Sequence, residues 1–442
     1  MQTSSSTSEK RFSNSADDAT PYVTKSAPSQ SAAKPKPRID KHIWGIYIAL
    51  VVISLIELYS ASSREVTQGH IMTPLLRHGL LLGVGCLIML GLQRIHYTVF
   101  YRLTWLIVAF SVVFAFCTMF WGEVINGARR SLSLGFFSVQ SSELLKFSAA
   151  LLIARVVGDN QIKEDGKPDV SSRAVAVVAG VVLAFGCMLI KQGLTNTILL
   201  MAISLSLMLI GGVSWKKFWV VVGVYAILGL GYGFVSMVFS SEGEKTEQTE
   251  KSPYEVDRGE LRKQRVEYYL SRDKYNHPIT PENQQAQYSF IAQANGGVLG
   301  VGPGNSRETA RLPLAFSDYI YAIIIEDIGL IGGLFVIALY LFLLARAGRV
   351  GTQCRKVFPT LLIIGMAVFI VYQALFHMAI VTGVFPVSGQ PLPFISKGGS
   401  SVIISSVALG IMLSVSRYAA RKEEKTDTEE TEMADNPINI KN

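Results

Sequence analysis

Apolar residues in this chain come in long solid blocks, at neither the helical spacing nor the two-residue spacing of a half-buried strand. Ten blocks can be marked: Ile43 to Ala61, Leu75 to Leu92, Val99 to Phe120, Ser138 to Val157, Ala174 to Ile190, Leu194 to Gly212, Phe218 to Phe239, Tyr319 to Ala345, Phe358 to Val384, and Gly398 to Ser416. A bilayer core of about 30 Å takes ~20 such residues as helix. Backbone polar groups inside lipid must pair within their own segment, so the blocks predict helices. The expected fold is all-α: a polytopic integral membrane protein with ten transmembrane helices and one long extracytoplasmic loop, residues 240–317. Residues 1–40 and 422–442 are polar and are expected to be disordered cytoplasmic tails flanking a transmembrane domain of residues 41–421. Within the long loop, SSEGEKTEQTEK reads as disordered and the part from Gln284 onward as ordered. Met1 to Lys41 has no apolar core of a signal peptide, so the first span is expected to direct insertion.

Charge changes the picture in two ways. Half the residues are hydrophobic and only 17% are charged, against roughly a quarter in soluble domains. The net charge of +8 does not point to nucleic acid. With both tails in the cytoplasm, Lys41, Arg94 and Arg102, Lys163 to Arg173, Lys216 and Lys217, Arg346 to Lys356, and Arg417 to Lys422 all fall inside, as the positive-inside rule expects. Arg129 and Arg130 are the exception, on the outside. Cys86, Cys117, Cys187 and Cys354 show no motif spacing, and neither a disulfide framework nor a metal site follows from them.

Four outward segments hold the candidate chemistry. The first is Asn126-Gly-Ala-Arg129-Arg130, followed by Ser141-Ser-Glu143-Leu-Leu-Lys146. Arginine forks bind phosphate, so an anionic lipid headgroup suits them; unspecific anchoring is the plainer reading. Glu143 and Lys146 share one helix face at the start of an apolar block, where an ionisable group costs roughly 2.5–3.5 kcal/mol. They are expected to face a cavity or to pair with each other. The second is Gly389-Gln-Pro-Leu-Pro-Phe-Ile-Ser396-Lys397-Gly398-Gly399-Ser400-Ser401. Its prolines keep the chain extended and Gly-Gly-Ser-Ser starts a helix, whose free N–H groups beside Lys397 suit phosphate; an ordinary capped helix is the alternative. The third is the glycine-rich run Gly296 to Gly304, which allows close backbone approach but lacks a dinucleotide-site context. The fourth is Leu312 to Tyr319, with Asp318 where the long loop meets a span. A partly desolvated carboxylate there suits a general base; an interfacial helix cap is the alternative. His377 within the ninth span reads as a hydrogen-bonded structural histidine rather than a proton relay.

Together these motifs resemble the SEDS family (shape, elongation, division and sporulation). NGARR…SSELLK is similar to that family's NGARRW…PSELAK, LPFISKGGSSVI to LPFISYGGSSLL, and GGVLGVGPGNS…LPLAFSDYIYAIIIEDIGLIG to GGxxGxGLGxS…LPEAHTDFIFAxIGEELGFIG. The resemblance spans Ile43 to Arg421 in the family's order. It implies a peptidoglycan glycosyltransferase that polymerises lipid II at the outer face of the cytoplasmic membrane. Asp318 matches the proposed catalytic acidic residue; Asn126, Arg129, Arg130, Glu143, Lys146 and Ser396 to Ser401 match residues of the substrate site. It implies as partners polyprenyl-diphosphate-linked glycan, a class B penicillin-binding protein transpeptidase and other division proteins. No cofactor is fixed; a divalent cation, Mg²⁺ or Mn²⁺, could assist at the diphosphate. The chain departs from the pattern at Leu314, Phe316, Ser141, Lys397 and Gln192-Gly-Leu-Thr-Asn196. Lys397 and the polar N-terminal tail resemble the division branch at the septum more than the elongation branch. A lipid II flippase and a division scaffold are the rival readings. The thin polar interior (Glu57, Glu143, Lys146, Lys191, Glu326, Asp327 and His377) and the one-sided chemistry favour an enzyme.

Overall fold

The computed structural model describes residues 39–65, 72–125, 128–133, 138–164, 167–190, 192–242, 267–269, 271, 275, 278–280, 283–312 and 315–435. Over 61–65, 72–75, 123–125, 128–130, 164, 167–168, 228, 230–242 and 418–435, only the backbone is described. Of the segments predicted disordered, 1–38 of 1–40 and 243–251 of 240–251 lie outside the described residues, as do Asn126, Lys191 and Leu314; against that prediction, Asp40 is ordered and residues 240–242 end a helix.

All ten expected spans are helices: α1 (Lys41–Glu65), α2 (Met72–Leu92), α3 (Tyr97–Trp121), α4 (Ser141–Asp159), α5 (Ser172–Ile190), α6 (Leu194–Ile210) and α7 (Trp215–Glu242) come first. After the long loop, whose own helix is α8 (Gln284–Gly296), follow α9 (Ile320–Thr352), α10 (Val357–Val381) and α11 (Gly399–Asp435). Among the described residues, six of them (α1, α3, α5, α9, α10 and the Gly399–Arg417 part of α11) are long and apolar enough to cross a membrane by length and composition alone. The apolar parts of α2 and α6 are shorter. The first turns of α4 carry Glu143 and Lys146, so its sequence is the least lipid-like. The chain is a multi-pass membrane protein, and among the described residues ten helices stand at the ten expected spans.

The core helices are α4, α10 and α11, with α4 buried nearly all round from Ser141 to Val157. Helices α3 and α7 instead expose Trp105, Leu106, Phe110, Phe116, Trp219 and Val220. Solid apolar blocks conceal this difference, since lipid and protein interior are equally apolar. At its start, α1 is capped by Asp40, whose Oδ1 accepts from the His42 and Ile43 amides at 3.0 and 3.3 Å. The other oxygen of Asp40 accepts from Arg346 Nε at 2.9 Å and Ser416 Oγ at 3.0 Å, tying α1, α9 and α11 together.

Three elements differ from expectation. The outer connection between α3 and α4 is an antiparallel meander: β1 (Glu123–Ile125), β2 (Ala128–Ser133) and β3 (Ser138–Gln140), with Val124 opposite Arg129 and Leu132 opposite Val139. On the opposite face, β4 (Gln161–Glu164) pairs with β5 (Lys167–Val170) between α4 and α5. These strands have three to six residues each, too few for a period to register. The tail after Arg421 continues α11 to Asp435; its five Glu and two Lys residues are good helix formers.

Helix α8 bears out the ordered second half of the loop. It buries Ala286, Gln287, Ser289, Ala292 and Gly296. Ser289 Oγ and Gln293 Nε2 both donate to the Val381 carbonyl at 2.9 Å, satisfying an open carbonyl at the end of α10.

Candidate active site at the outer face

The β1–β3 sheet, α8 and the segment between α10 and α11 each follow an odd-numbered span or precede an even-numbered one, so all lie at one end of the bundle. There Phe394 adopts φ +67°, the positive-φ position among described residues that is not glycine. An aromatic residue in that region is strained. Its ring is fully buried and meets the Tyr47 ring edge-on at 5.5 Å between centroids. The buried Tyr340 hydroxyl donates to the preceding carbonyl of Pro393, and Ser54 Oγ donates to the next one, Ile395, at 3.1 Å. Contacts from α1 and α9 thus hold a backbone that would otherwise relax.

The same loop is bound to the chain around Asp318. Ser396 Oγ accepts from the Leu392 amide at 2.7 Å and donates to the Ser317 carbonyl at 2.7 Å. The Lys397 amide donates to the Phe316 carbonyl at 2.9 Å, and its ammonium lies 5.8 Å from the Phe316 ring centre. Phe316 therefore has a structural use where the family's pattern has a histidine. Asp318 ends a single helical turn, Ala315–Asp318, and is half-buried; Lys397 is exposed. Ser317 Oγ donates to Asp318 Oδ1 at 2.8 Å. A carboxylate and an ammonium thus belong to two short segments locked together by backbone bonds. Gly398 donates to the Ser396 carbonyl at 2.7 Å and Gly399 begins α11; Ser400 and Ser401 are buried in its first turn.

Deeper in the bundle, Glu143 and Lys146 are buried on α4 and make no direct ion pair. Gln373 Nε2 donates to Glu143 Oε1 at 3.0 Å, and Lys146 Nζ donates to Asn196 Oδ1 at 3.1 Å. Asn196 Oδ1 also accepts from Gln390 Nε2 at 3.1 Å, and the Gln390 carbonyl is 2.6 Å from His377 Nδ1. His377 is thus held by a hydrogen bond. The chain Lys146–Asn196–Gln390–His377 joins α4, α6 and α10 to the loop before α11. Sequence reading missed Asn196, Gln373 and Gln390. Gln373 and His377 stand four apart on one helix face, which was the available signal.

Arg129 and Arg130 lie on β2, which leads through β3 directly into Ser141 of α4. Their backbone is placed beside the start of α4; their side chains, with the whole of Asn126, lie outside what is described. The glycine-rich run serves a neighbouring backbone. It zips onto a break in α9 at Gly329, φ +83°. Val301 and Gly302 amides donate to the Glu326 and Asp327 carbonyls at 2.9 Å each, and the Leu330 amide to Gly297 at 3.0 Å. A Cβ at Gly296 or Gly300 would collide with that backbone. The Glu326 carboxylate accepts from the Arg307 amide at 3.0 Å and from Ser306 Oγ, and Asp327 accepts from Ser60 Oγ. Both acids are structural ties. Among the described residues no three His, Cys, Asp or Glu side chains converge as metal ligands.

Known proteins match this arrangement. Stage V sporulation protein E of Bacillus subtilis is 29% identical over 383 residues, 85% of this chain and 96% of that protein. The probable peptidoglycan glycosyltransferase FtsW of Trichlorobacter lovleyi is 28% identical over 374 residues, 84% of this chain and 91% of that one. Among solved structures, the rod shape determining protein RodA of Thermus thermophilus superposes with a TM-score of 0.58 at 20% identity, covering 86% and 97% of the two chains. A chain from a peptidoglycan synthase complex, described for its coordination of polymerization and crosslinking, superposes at 0.64 with 22% identity, covering 86% and 98%. Residues 40–421 match the family described as "Cell cycle protein", and the chain therefore belongs to the FtsW/RodA/SpoVE family.

Proposed function

We propose that this protein is a peptidoglycan glycosyltransferase that polymerises lipid II at the outer face of the cytoplasmic membrane during septal wall synthesis. Both termini are then cytoplasmic, and a class B penicillin-binding protein transpeptidase is the partner, with other division proteins around it. The observation that carries the reading is the lock between the two segments: Ser396 to the Ser317 carbonyl and the Lys397 amide to the Phe316 carbonyl. It holds a half-buried carboxylate and an exposed ammonium on one rigid frame, as glycosyl transfer with a general base and an anionic leaving group requires. The relatives' names support the same activity.

In this mechanism the growing glycan on polyprenyl diphosphate is the donor and lipid II the acceptor. Asp318 takes the proton from the attacking sugar 4-hydroxyl as the new glycosidic bond forms at the donor's anomeric carbon with inversion. The bond from that carbon to the diphosphate breaks, and the diphosphate leaves with the electron pair. Lys397, Arg129, Arg130 and the amides at the start of α11 stabilise the charge that develops there. General-base help is worth roughly 10²–10⁴-fold. Every step here runs on the chain's own groups, and a divalent cation at the diphosphate would add to the same charge stabilisation.

The test is glycan polymerisation from purified lipid II by the complex with its transpeptidase, beside Asp318→Asn. Polymer from the wild type and none from the folded variant is expected. Equal polymer from both would remove Asp318 from the mechanism. No polymer from a native wild-type complex would overturn the activity.

A further inference from the structure

We infer that Gly389 is a positioning residue for Asp318: its missing side chain is the space in which the Asp318 carboxylate sits. The inference deepens the polymerase reading and rests on it for its catalytic consequence, though not for the contact itself. A Cβ built on Gly389 would lie 2.7 Å from Asp318 Oδ2 and 3.3 Å from its Cγ. Real carbon–oxygen contacts do not come so close without movement. Gly389 does not occupy the left-handed region, so a side chain there meets no backbone objection. The demand for glycine is steric and comes from Asp318.

Both walls of this contact are pinned. On the Gly389 side, the next residue is held twice: Gln390 Nε2 to Asn196 at 3.1 Å, and the Gln390 carbonyl at His377 Nδ1, 2.6 Å away. Two residues further, the Leu392 amide is fixed by Ser396 Oγ. On the Asp318 side, the Ser317 carbonyl is fixed by the same Ser396 hydroxyl. The softest part of the assembly is the Asp318 side chain. An added methyl therefore turns the carboxylate, and turning it opposes the 2.8 Å bond from Ser317 Oγ to Oδ1. A variant at Gly389 is cheap for the fold and costly for the base. Gln390 extends the geometry inward, because the residue next to the stop is the one bound, through Asn196, to Lys146.

The experiment is Gly389→Ala in the full-length protein with its transpeptidase, assayed for lipid II polymerisation and for thermal unfolding, in wild-type and Asp318→Ala backgrounds. A misplacement of about 1 Å can cost ~10²-fold in rate. The expected result is a turnover at least ~10-fold below wild type with KM unchanged and lipid II binding retained. Turnover within about twofold of wild type, or a rise in KM alone, would overturn the inference. Should Gly389→Ala instead lower the melting temperature, the same substitution must cost nothing once Asp318→Ala has emptied the space. Additive losses in that cycle would also overturn it. The stability cycle needs no activity, so an inactive wild-type protein would count against the polymerase reading while the contact is still decided.

Discussion

Asp318 with Lys397, and Glu143 with Lys146, are two sets of one acid and one base at the same end of the bundle, and the fold treats them in opposite ways. In the first set the backbone is fixed and the charges are accessible: amides and a serine hydroxyl lock the segments, while Asp318 is half-buried and Lys397 exposed. In the second set the charges themselves are enclosed, each bound to a neutral amide, Gln373 or Asn196. Buried charges need hydrogen-bond partners and a compensating charge. Accessible ones need only a frame. On the proposed mechanism the outer set carries the transfer chemistry and the inner one shapes the wall behind it.

The largest effect should come from the outer set. Asp318→Asn keeps the shape and removes the base, so polymerisation should fall by about 10²–10⁴-fold at an unchanged melting temperature. The inner set should show the reverse. Lys146→Met removes the ammonium that offsets the enclosed Glu143 and leaves that carboxylate without a compensating charge, which is destabilising in a buried site. Thermal unfolding in detergent should show a large drop for Lys146→Met and recovery in the Glu143→Gln/Lys146→Met double variant. A Lys146→Met protein that melts like wild type but makes no polymer would break the comparison, because Lys146 would then belong to the chemistry.

These two sets also mark how far the sequence could be read. The ten helices were legible because each is a block of apolar residues, and lipid permits only one backbone solution to such a block. Asp318, Lys397 and the two arginines were legible because each is a charge out of place, at a span edge or on the wrong side. What the pattern concealed was side-chain pairing over long sequence distance. Asn196 and Gln390 are 194 residues apart and Gln373 and Glu143 are 230, and polar amides in apolar blocks do not announce their partners. The β4–β5 hairpin had a local signal in Asp165-Gly166 between two polar runs, overshadowed by the helix pattern. The glycine-rich run was read for close approach, which is correct, but its partner is the break in α9 at Gly329. Glycines that serve a ligand and glycines that serve a neighbouring backbone look alike in sequence.

A smaller effect sharpens the role of the outer ammonium. Among the described residues Lys397 has no ion-pair partner; its ammonium rests near the Phe316 ring. Exposed cation–π contacts are worth about 0.5–1 kcal/mol, so Lys397→Gln should hardly change stability. Its charge should matter to the leaving diphosphate, with turnover down about tenfold. A loss of stability with normal turnover would recast Lys397 as a clamp for Phe316.

The smallest effect lies beside the site, at Glu308, on the loop that Glu326 caps. Burial pushes its carboxyl up from the ordinary 4.5, Glu326 adds to the rise, and Arg311 and Arg307 oppose it. A raised carboxyl binds its proton more tightly in the folded protein than in the unfolded chain. Its contribution to stability is therefore full below pH 4.5 and declines as pH rises through the folded value. Glu308→Gln cannot titrate, so it should flatten that part of the melting temperature–pH curve and raise its upper end relative to wild type. The lost Arg311 contact, 3.3 Å long and with Arg311 mostly exposed, should offset little of this. Parallel curves for the two proteins would mean that the capped loop opens before Glu308 titrates. The wall behind Asp318 would then end at Glu326, short of Glu308.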